Sequence, residues 1–238
     1  MKTVLITGGS RGIGAAAARR FAAGGYRVAI SYLHRAHEAK ALAQALGGIA
    51  LRGDVADRGQ ARQVVTDALD AFGGLDCLVC NAGFAQQTLF TDLTEEAWRR
   101  MFAVHVDGVF HTVQATLPHM IHRKAGQIVT ISSMWGLTGG SCEVAYSAAK
   151  AAVIGLTKAL AKELGPSGIA VNCVAPGVID TEMNENLAAD TRTELREETP
   201  LGRLGTPEDV AESIYFLGSG TGRFLTGQVL SPNGGIVI

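Results

Sequence analysis

Short apolar runs of strand length recur along this chain, each followed by a longer stretch of helical periodicity, and that alternation leaves few folds open. The runs are residues 3–7 (TVLIT), 27–31 (RVAIS), 49–53, 76–80, 127–132 (QIVTIS), 169–174 (IAVNCV) and 228–231. Helix candidates lie between them at 12–24, 36–46, 57–72, 94–123, 143–164 and 207–218. A strand that is apolar at consecutive positions is buried on both faces, and a parallel sheet with helices on each side supplies that burial. With 238 residues, 47% of them hydrophobic, the chain is long enough to bury such a core as one unit. The expectation is an α/β fold, doubly wound, with a seven-stranded parallel sheet and helices on both faces, spanning 1–238 as a single domain.

Charge narrows the partners. The formal net charge is -1 and no dense basic run occurs, so neither nucleic acid nor an anionic membrane is expected. The opening MKTVLITGGS lacks the apolar core and cleavage site of a signal peptide, and no stretch of 18 apolar residues is expected to offer a membrane span. A soluble cytoplasmic protein is the expectation. Cys77 and Cys80 form a CLVC spacing that invites a redox or zinc reading. On a strand, however, positions three apart point to opposite faces, so the cysteines read as core residues. His119 and His122, beside Arg123 and Lys124, read as a basic, solvated helix end, and no metal site is expected.

One segment changes character. Residues 182–205 are polar and carry charges of both signs. They read either as a solvated surface helix or as a mobile lid over a pocket; their place after a strand's carboxyl end, where open parallel sheets bind ligands, favours the lid.

Immediately after the first strand comes TGGSRGIG, from Thr7 to Gly14, opening a helix. Small residues here let the backbone approach a pyrophosphate, and the helix N-terminus offers unpaired N–H groups and a positive dipole end. The glycine spacing is G-x-x-x-G-x-G, and at this point the chain resembles the short-chain dehydrogenase/reductase family. That family's fold is a Rossmann-type domain. The turn residues Gly8, Ser10, Arg11, Gly12, Ile13 and Gly14 are thereby expected at the cofactor. Tyr32 ends the second strand where the family's NAD-selective members carry Asp, and His34 and Arg35 follow it. A guanidinium grips a 2′-phosphate that a carboxylate would repel, so NADP(H) is favoured over NAD(H).

The helix VAYSAAKAAV places Tyr146 and Lys150 four residues apart, on one face. Ser133 ends the strand QIVTISS, NAG at 81–83 ends the fourth strand, and APG at 175–177 follows the sixth. Together with Asp54, Val55 and Thr181, these positions resemble the short-chain dehydrogenase/reductase pattern over nearly the whole chain. A free phenol has a pKa of about 10, and a neighbouring ammonium lowers such a value by about 1–3 units. The resemblance implies that Tyr146 is the acid/base, that Lys150 lowers its pKa while holding the nicotinamide ribose, and that Ser133 bonds the substrate oxygen. It also implies that Asn81, Ala82 and Gly83 line the adenosine side, and that Pro176, Gly177 and Ile179 shape the nicotinamide side.

His105 departs from the pattern: it stands where the family has an asparagine that holds a water linking the lysine to solvent. Imidazole also donates and accepts hydrogen bonds, so His105 either supports a proton relay or is simply packed in its helix. Among members, the stretches AYSAAKAAVIGLTKALAKEL, VNCVAPGVIDTEM and TPLGRLGTPEDVA resemble the 3-oxoacyl-acyl-carrier-protein reductases. A carrier protein is acidic, and Arg99, Arg100, Arg123 and Lys124 are candidates to meet it; Ser167 stands where those reductases often carry arginine. GFAQQTLFTDLT and SSMWGLTGGSCEVAYSAAK instead resemble a branch of elongation factor P 5-aminopentanone reductases. In that branch Trp135 and Cys142 would flank the substrate, although Trp135 equally suits a core cap. A non-catalytic cofactor-binding sensor or scaffold is the alternative from another class. The family commonly forms tetramers, so a homotetramer is expected.

Overall fold

The computed structural model describes residues 1–184, 189–222 and 224–238. β1 (Thr3–Ile6) leads into α1 (Gly12–Ala23), β2 (Arg27–Tyr32) into α2 (Ala36–Ala45), and β3 (Ile49–Arg52) into α3 (Arg58–Phe72). After β4 (Cys77–Cys80) comes the long helix expected over 94–123, which the structure divides. It runs as α4 (Glu95–Phe102), a π-helical turn (Ala103–Asp107) and α5 (Gly108–Arg123). β5 (Gly126–Ile131), a short α6 (Trp135–Thr138), α7 (Val144–Leu164) and β6 (Ile169–Val174) follow, then α8 (Ala189–Glu198), α9 (Pro207–Gly218) and β7 (Val229–Leu230).

The seven strands lie in the order β3-β2-β1-β4-β5-β6-β7, and every neighbouring pair is parallel. This is the seven-stranded, doubly wound sheet that the apolar runs predict. Alternate residues of each strand feed two separate cores. Val4 and Ile6 join Phe21, Val210 and Ile214 under α1 and α9, while Leu5 joins Val64, Val113 and Val153 under α3, α5 and α7. Cys77 falls in the first cluster and Cys80 in the second, as a period of two demands. Among the described residues no group of histidines, cysteines and carboxylates could hold a metal.

Chain order reverses between β1 and β4, so the connections at their carboxyl ends diverge and leave a crevice between them. α7 lies beside this crevice on β5 and β6, and polar contacts within an apolar interface set its register. Thr130 Oγ1 and Thr157 Oγ1 are 2.6 Å apart, both fully buried, and one turn back Thr157 Oγ1 donates to the Val153 carbonyl at 2.8 Å. Further along, Ser132 Oγ donates to the Lys150 carbonyl and Lys150 Nζ to the Ile131 carbonyl, each at 2.8 Å. A buried hydroxyl that loses its partner costs far more than one replaced together with it.

Two expectations need correction. Val144–Ser167 is in fact long and apolar enough to cross a membrane by composition, with a mean hydropathy of 1.2. Its alanines, valines and isoleucines serve a different surface: Ala145, Ala149, Val153, Ile154 and Ala161 are buried inside the fold, along with the charged Lys150. His119, read as part of a solvated helix end, is half-buried, and its Nε2 accepts the Leu75 N–H at 3.0 Å.

The seam between α7 and β5 is testable by urea unfolding. Thr157→Val alone should cost about 1–3 kcal/mol, and adding Thr130→Val should recover most of it. Additive losses would show that the pair does not set the register.

Candidate active site

The carboxyl ends of β1 and β4 are tied together through one threonine. Thr7 Oγ1 accepts the N–H of Asn81 at 3.0 Å and of Ala82 at 3.1 Å, and Asn81 Nδ2 donates to the carbonyls of Thr7 and Gly8, both at 3.0 Å. The glycine turn is thus clamped to the NAG segment. A Cβ at Gly14 would lie 2.4 Å from the Gly8 carbonyl oxygen and 2.6 Å from Asn81 Nδ2, so no side chain fits there. Arg11, in the cap position before α1, makes no side-chain cap hydrogen bond, which leaves the helix's first-turn amides for an anion.

At the end of β2, Tyr32, His34 and Arg35 line the same cavity as the turn, together with Arg11 and Glu182. Glu182 Oε2 lies 3.2 Å from Arg11 Nη1 and 2.7 Å from Arg35 Nη2. Two guanidinium groups therefore converge on one anionic oxygen, a donor set that suits a phosphate equally well. These features fit a 2′-phosphorylated dinucleotide.

Across the crevice, the polar register of α7 brings Tyr146 and Lys150 beside the end of β5. Lys150 Nζ, whose side chain is buried, lies 5.5 Å from the centre of the Tyr146 ring. Burial pulls the ammonium's pKa down to about 8. Burial pushes the Tyr146 phenol above its ordinary range; the Ser133 hydroxyl lowers it and the Glu143 carboxylate raises it further. Loss of solvent around the phenolate is the largest of these effects. Ser133 Oγ accepts the Trp135 N–H at 3.2 Å, which leaves its own hydrogen to donate elsewhere.

His105 sits in the π-helical turn, a device that inserts an extra residue into a helix, often at functional sites. Its ring stands edge-on to Tyr146, with centres 5.4 Å apart, and it packs against Gly83 so closely that a Cβ there would meet its Cε1 at 2.4 Å. Its Nε2 lies 2.8 Å from the Phe84 carbonyl and 3.2 Å from the Phe84 backbone nitrogen, one contact that calls for a proton on Nε2 and one that calls for its lone pair. Nδ1 is buried and without a hydrogen-bond partner among the described residues. Burial, followed by the charge of Lys150, holds the imidazole well below its usual pKa, so it is neutral.

All the residues singled out in the sequence as catalytic or cofactor-binding line one cavity of about 610 Å³. Ser133, Tyr146, Lys150 and His105 border one part of it. Gly8, Ser10, Arg11, Gly12, Ile13 and Gly14 border another, with Tyr32, Arg35, Asp54, Val55, Asn81, Ala82, Gly83, Pro176, Gly177, Ile179 and Thr181 around them. Trp135 lines it too, whereas Cys142 does not; Cys142 takes a left-handed conformation at φ 60° and its carbonyl accepts the Thr88 N–H at 2.8 Å. Of the segment proposed as a lid, residues 185–188 lie outside the described residues, while Glu182, Thr191 and Leu195 border the cavity.

Sequence reasoning missed the pair formed by Gln87 Nε2 and Glu143 Oε1, 3.2 Å apart at the cavity wall; nothing local in either stretch marks it. The basic residues expected to meet a carrier protein form no single patch. Arg99 pairs with Glu95 at 3.0 Å, Arg100 with Asp54 at 3.1 Å and Arg123 with Asp76 at 3.0 Å. Arg99 lies in α4 and Arg123 at the far end of α5, on opposite sides of the π-helical turn.

The comparisons with known proteins converge on one family. Residues 8–237 match the family described as Enoyl-(Acyl carrier protein) reductase. The 3-oxoacyl-acyl-carrier-protein reductase FabG of Aggregatibacter actinomycetemcomitans is 41% identical over 242 residues, covering 99% of both chains. The enzyme of the same name from Staphylococcus aureus (strain Mu50 / ATCC 700699) is 36% identical over 240 residues, covering 99% of this chain and 98% of the relative. A gluconate 5-dehydrogenase from Burkholderia cenocepacia J2315, whose crystal structure is a complex with NADP and tartrate, superposes with a TM-score of 0.94 at 32% identity. That match covers 99% of this chain and 94% of the other. With the clamped glycine turn, the paired Tyr146 and Lys150 and these full-length likenesses in view, the chain belongs to the short-chain dehydrogenase/reductase family.

Proposed function

We propose that this protein is an NADP(H)-dependent ketoreductase acting on a 3-oxoacyl thioester carried by acyl carrier protein. The observation that carries the reading is the placement of Tyr146, Lys150 and Ser133 at the carboxyl edge of the sheet, in the cavity that also holds the uncapped start of α1. The full-length relatives named for 3-oxoacyl reduction support the substrate class. The nicotinamide, when bound, supplies the hydride.

The chain's own groups then manage the proton. Tyr146, its pKa pushed upward by burial, stays protonated at neutral pH and donates its proton to the ketone oxygen. Ser133 Oγ, already accepting from Trp135, turns its hydrogen toward that oxygen and steadies the developing charge. Lys150 spends one N–H on the Ile131 carbonyl and keeps two for the cofactor ribose, while its charge favours the phenolate left behind. His105 offers its unpartnered Nδ1 to a proton-relay water in place of the family's asparagine.

Glu143 favours a second reading. Its carboxylate lines the cavity three residues before Tyr146, bonded to Gln87, with no basic partner within 4 Å among the described residues. An uncompensated carboxylate there suits a ketone that bears an amine, such as an aminopentanone on a lysine of elongation factor P, better than an acyl thioester. Both substrates are tethered ketones and share the mechanism. A homotetramer, in the manner of the family, completes the proposal.

Turnover with NADPH and with NADH, against an acetoacetyl thioester and against ketone-bearing elongation factor P, tests the reading. Oxidation of NADPH by the thioester is expected; cofactor binding without turnover on either ketone would instead make the protein a sensor. Because Lys150 carries its charge only below about 8, kcat/KM for ketone reduction should hold near neutral pH and fall as pH rises through that value. A flat profile to well above it would remove the ammonium from the mechanism. His105→Leu should slow reduction and displace this profile while His105→Asn stays within a few-fold; a Leu variant with full rate at every pH would leave His105 a packing residue.

A further inference from the structure

Arg11 comes from the glycine turn, Arg35 from the loop after β2, and Glu182 from the short turn Glu182–Asn184 beyond β6, so three distant parts of the chain meet at one point. Both guanidinium groups contact the same atom, Glu182 Oε2, at 3.2 and 2.7 Å. The three side chains are partly exposed, at 40%, 43% and 37%, and all three line the cavity that holds the glycine turn. Arg35 has a second carboxylate within reach, Glu38 at 3.7 Å, whereas Glu182 is the one carboxylate within 4 Å of Arg11 among the described residues. Two donors aimed at a single oxygen, rather than a carboxylate gripped side-on by one arginine, form a receptor for one oxygen of a tetrahedral anion.

We propose that Glu182 is a specificity-determining residue, its carboxylate holding the place between Arg11 and Arg35 that the 2′-phosphate of NADP(H) takes on binding. This rests on the NADP(H) reading given above. A dianionic phosphate and a carboxylate cannot share the two guanidinium groups without repulsion, so the incoming phosphate displaces Glu182. A nucleotide without that phosphate has nothing to displace it with and leaves the ion pairs standing. Glu182 therefore sets how strongly the 2′-phosphate is rewarded. It also joins the phosphate subsite to the stretch that borders the cavity beyond β6, where Asn184 Nδ2 holds the Ile179 carbonyl at 2.7 Å.

Equilibrium titration of the full-length wild type, Glu182→Gln and Glu182→Ala with 2′,5′-ADP and with 5′-AMP tests this without any turnover. Both variants should bind 2′,5′-ADP about three- to tenfold more tightly than wild type, the size expected for removing two partly exposed ion pairs, while 5′-AMP moves by less than about twofold. The variants should also show the steeper salt dependence, because their guanidinium groups meet the phosphate without first releasing a carboxylate. Unchanged or weakened 2′,5′-ADP binding in either variant, with wild type still preferring it to 5′-AMP, overturns the role of Glu182 and leaves the NADP(H) reading standing. A wild type that shows no such preference overturns both.

Discussion

An ammonium group buried at the carboxyl end of β5 is the costly feature around which the rest of this structure is arranged. Taking a charge out of water costs several kcal/mol even after the protein relaxes. Lys150 meets that cost with a single carbonyl, that of Ile131, and with a pKa drawn down to about 8. The group is tolerated because α7 is locked to β5 along a polar seam, from the Thr130–Thr157 pair to the bond between Ser132 and the Lys150 carbonyl. That seam fixes the rotation of the helix. Tyr146, one turn earlier on the same face, is thereby held in the cavity with Ser133, and the geometry assigned to proton transfer follows from the packing.

The cofactor half depends on topology in a similar way. Strand order reverses between β1 and β4, and Thr7 with Asn81 bolts the two carboxyl ends together. The turn after β1, the NAG segment after β4, Ser133 after β5 and Pro176 after β6 then lie along one edge of one sheet. A fold that buries parallel strands on both faces leaves just such an edge for polar chemistry. On the proposed reading, the meeting of hydride source and proton donor follows from this strand order.

Much of this was legible in the sequence, for physical reasons. Consecutive apolar residues in TVLIT, QIVTIS and IAVNCV announce strands buried on both sides. The spacing of Tyr146 and Lys150 announces a shared helix face, and the glycines of TGGSRGIG announce close backbone approach. What escaped depends on long-range or subtle geometry. The π-helical turn at Ala103–Asp107 shifts the ladder by one residue and leaves the apolar periodicity nearly intact, so the helix reads as unbroken. Glu182 meets Arg11 across 171 positions of chain, and Gln87 meets Glu143 across 56, separations for which a local pattern carries no signal. Likewise Arg100 and Arg123 look free in the sequence, and only the fold brings Asp54 and Asp76 to them. Apolar composition misleads in the opposite direction at α7, whose alanines and valines serve a sheet rather than a lipid.

The central claim is that a buried phenol, poised beside a buried ammonium, delivers the proton to a ketone. Single-turnover reduction of an acetoacetyl thioester by Tyr146→Phe, at saturating NADPH, tests it most directly. The expected result is a rate lowered by about 10²–10⁴, the usual share of a positioned general acid, with nucleotide affinity retained. A phenylalanine variant that reduces the ketone within a few-fold of wild type would contradict it.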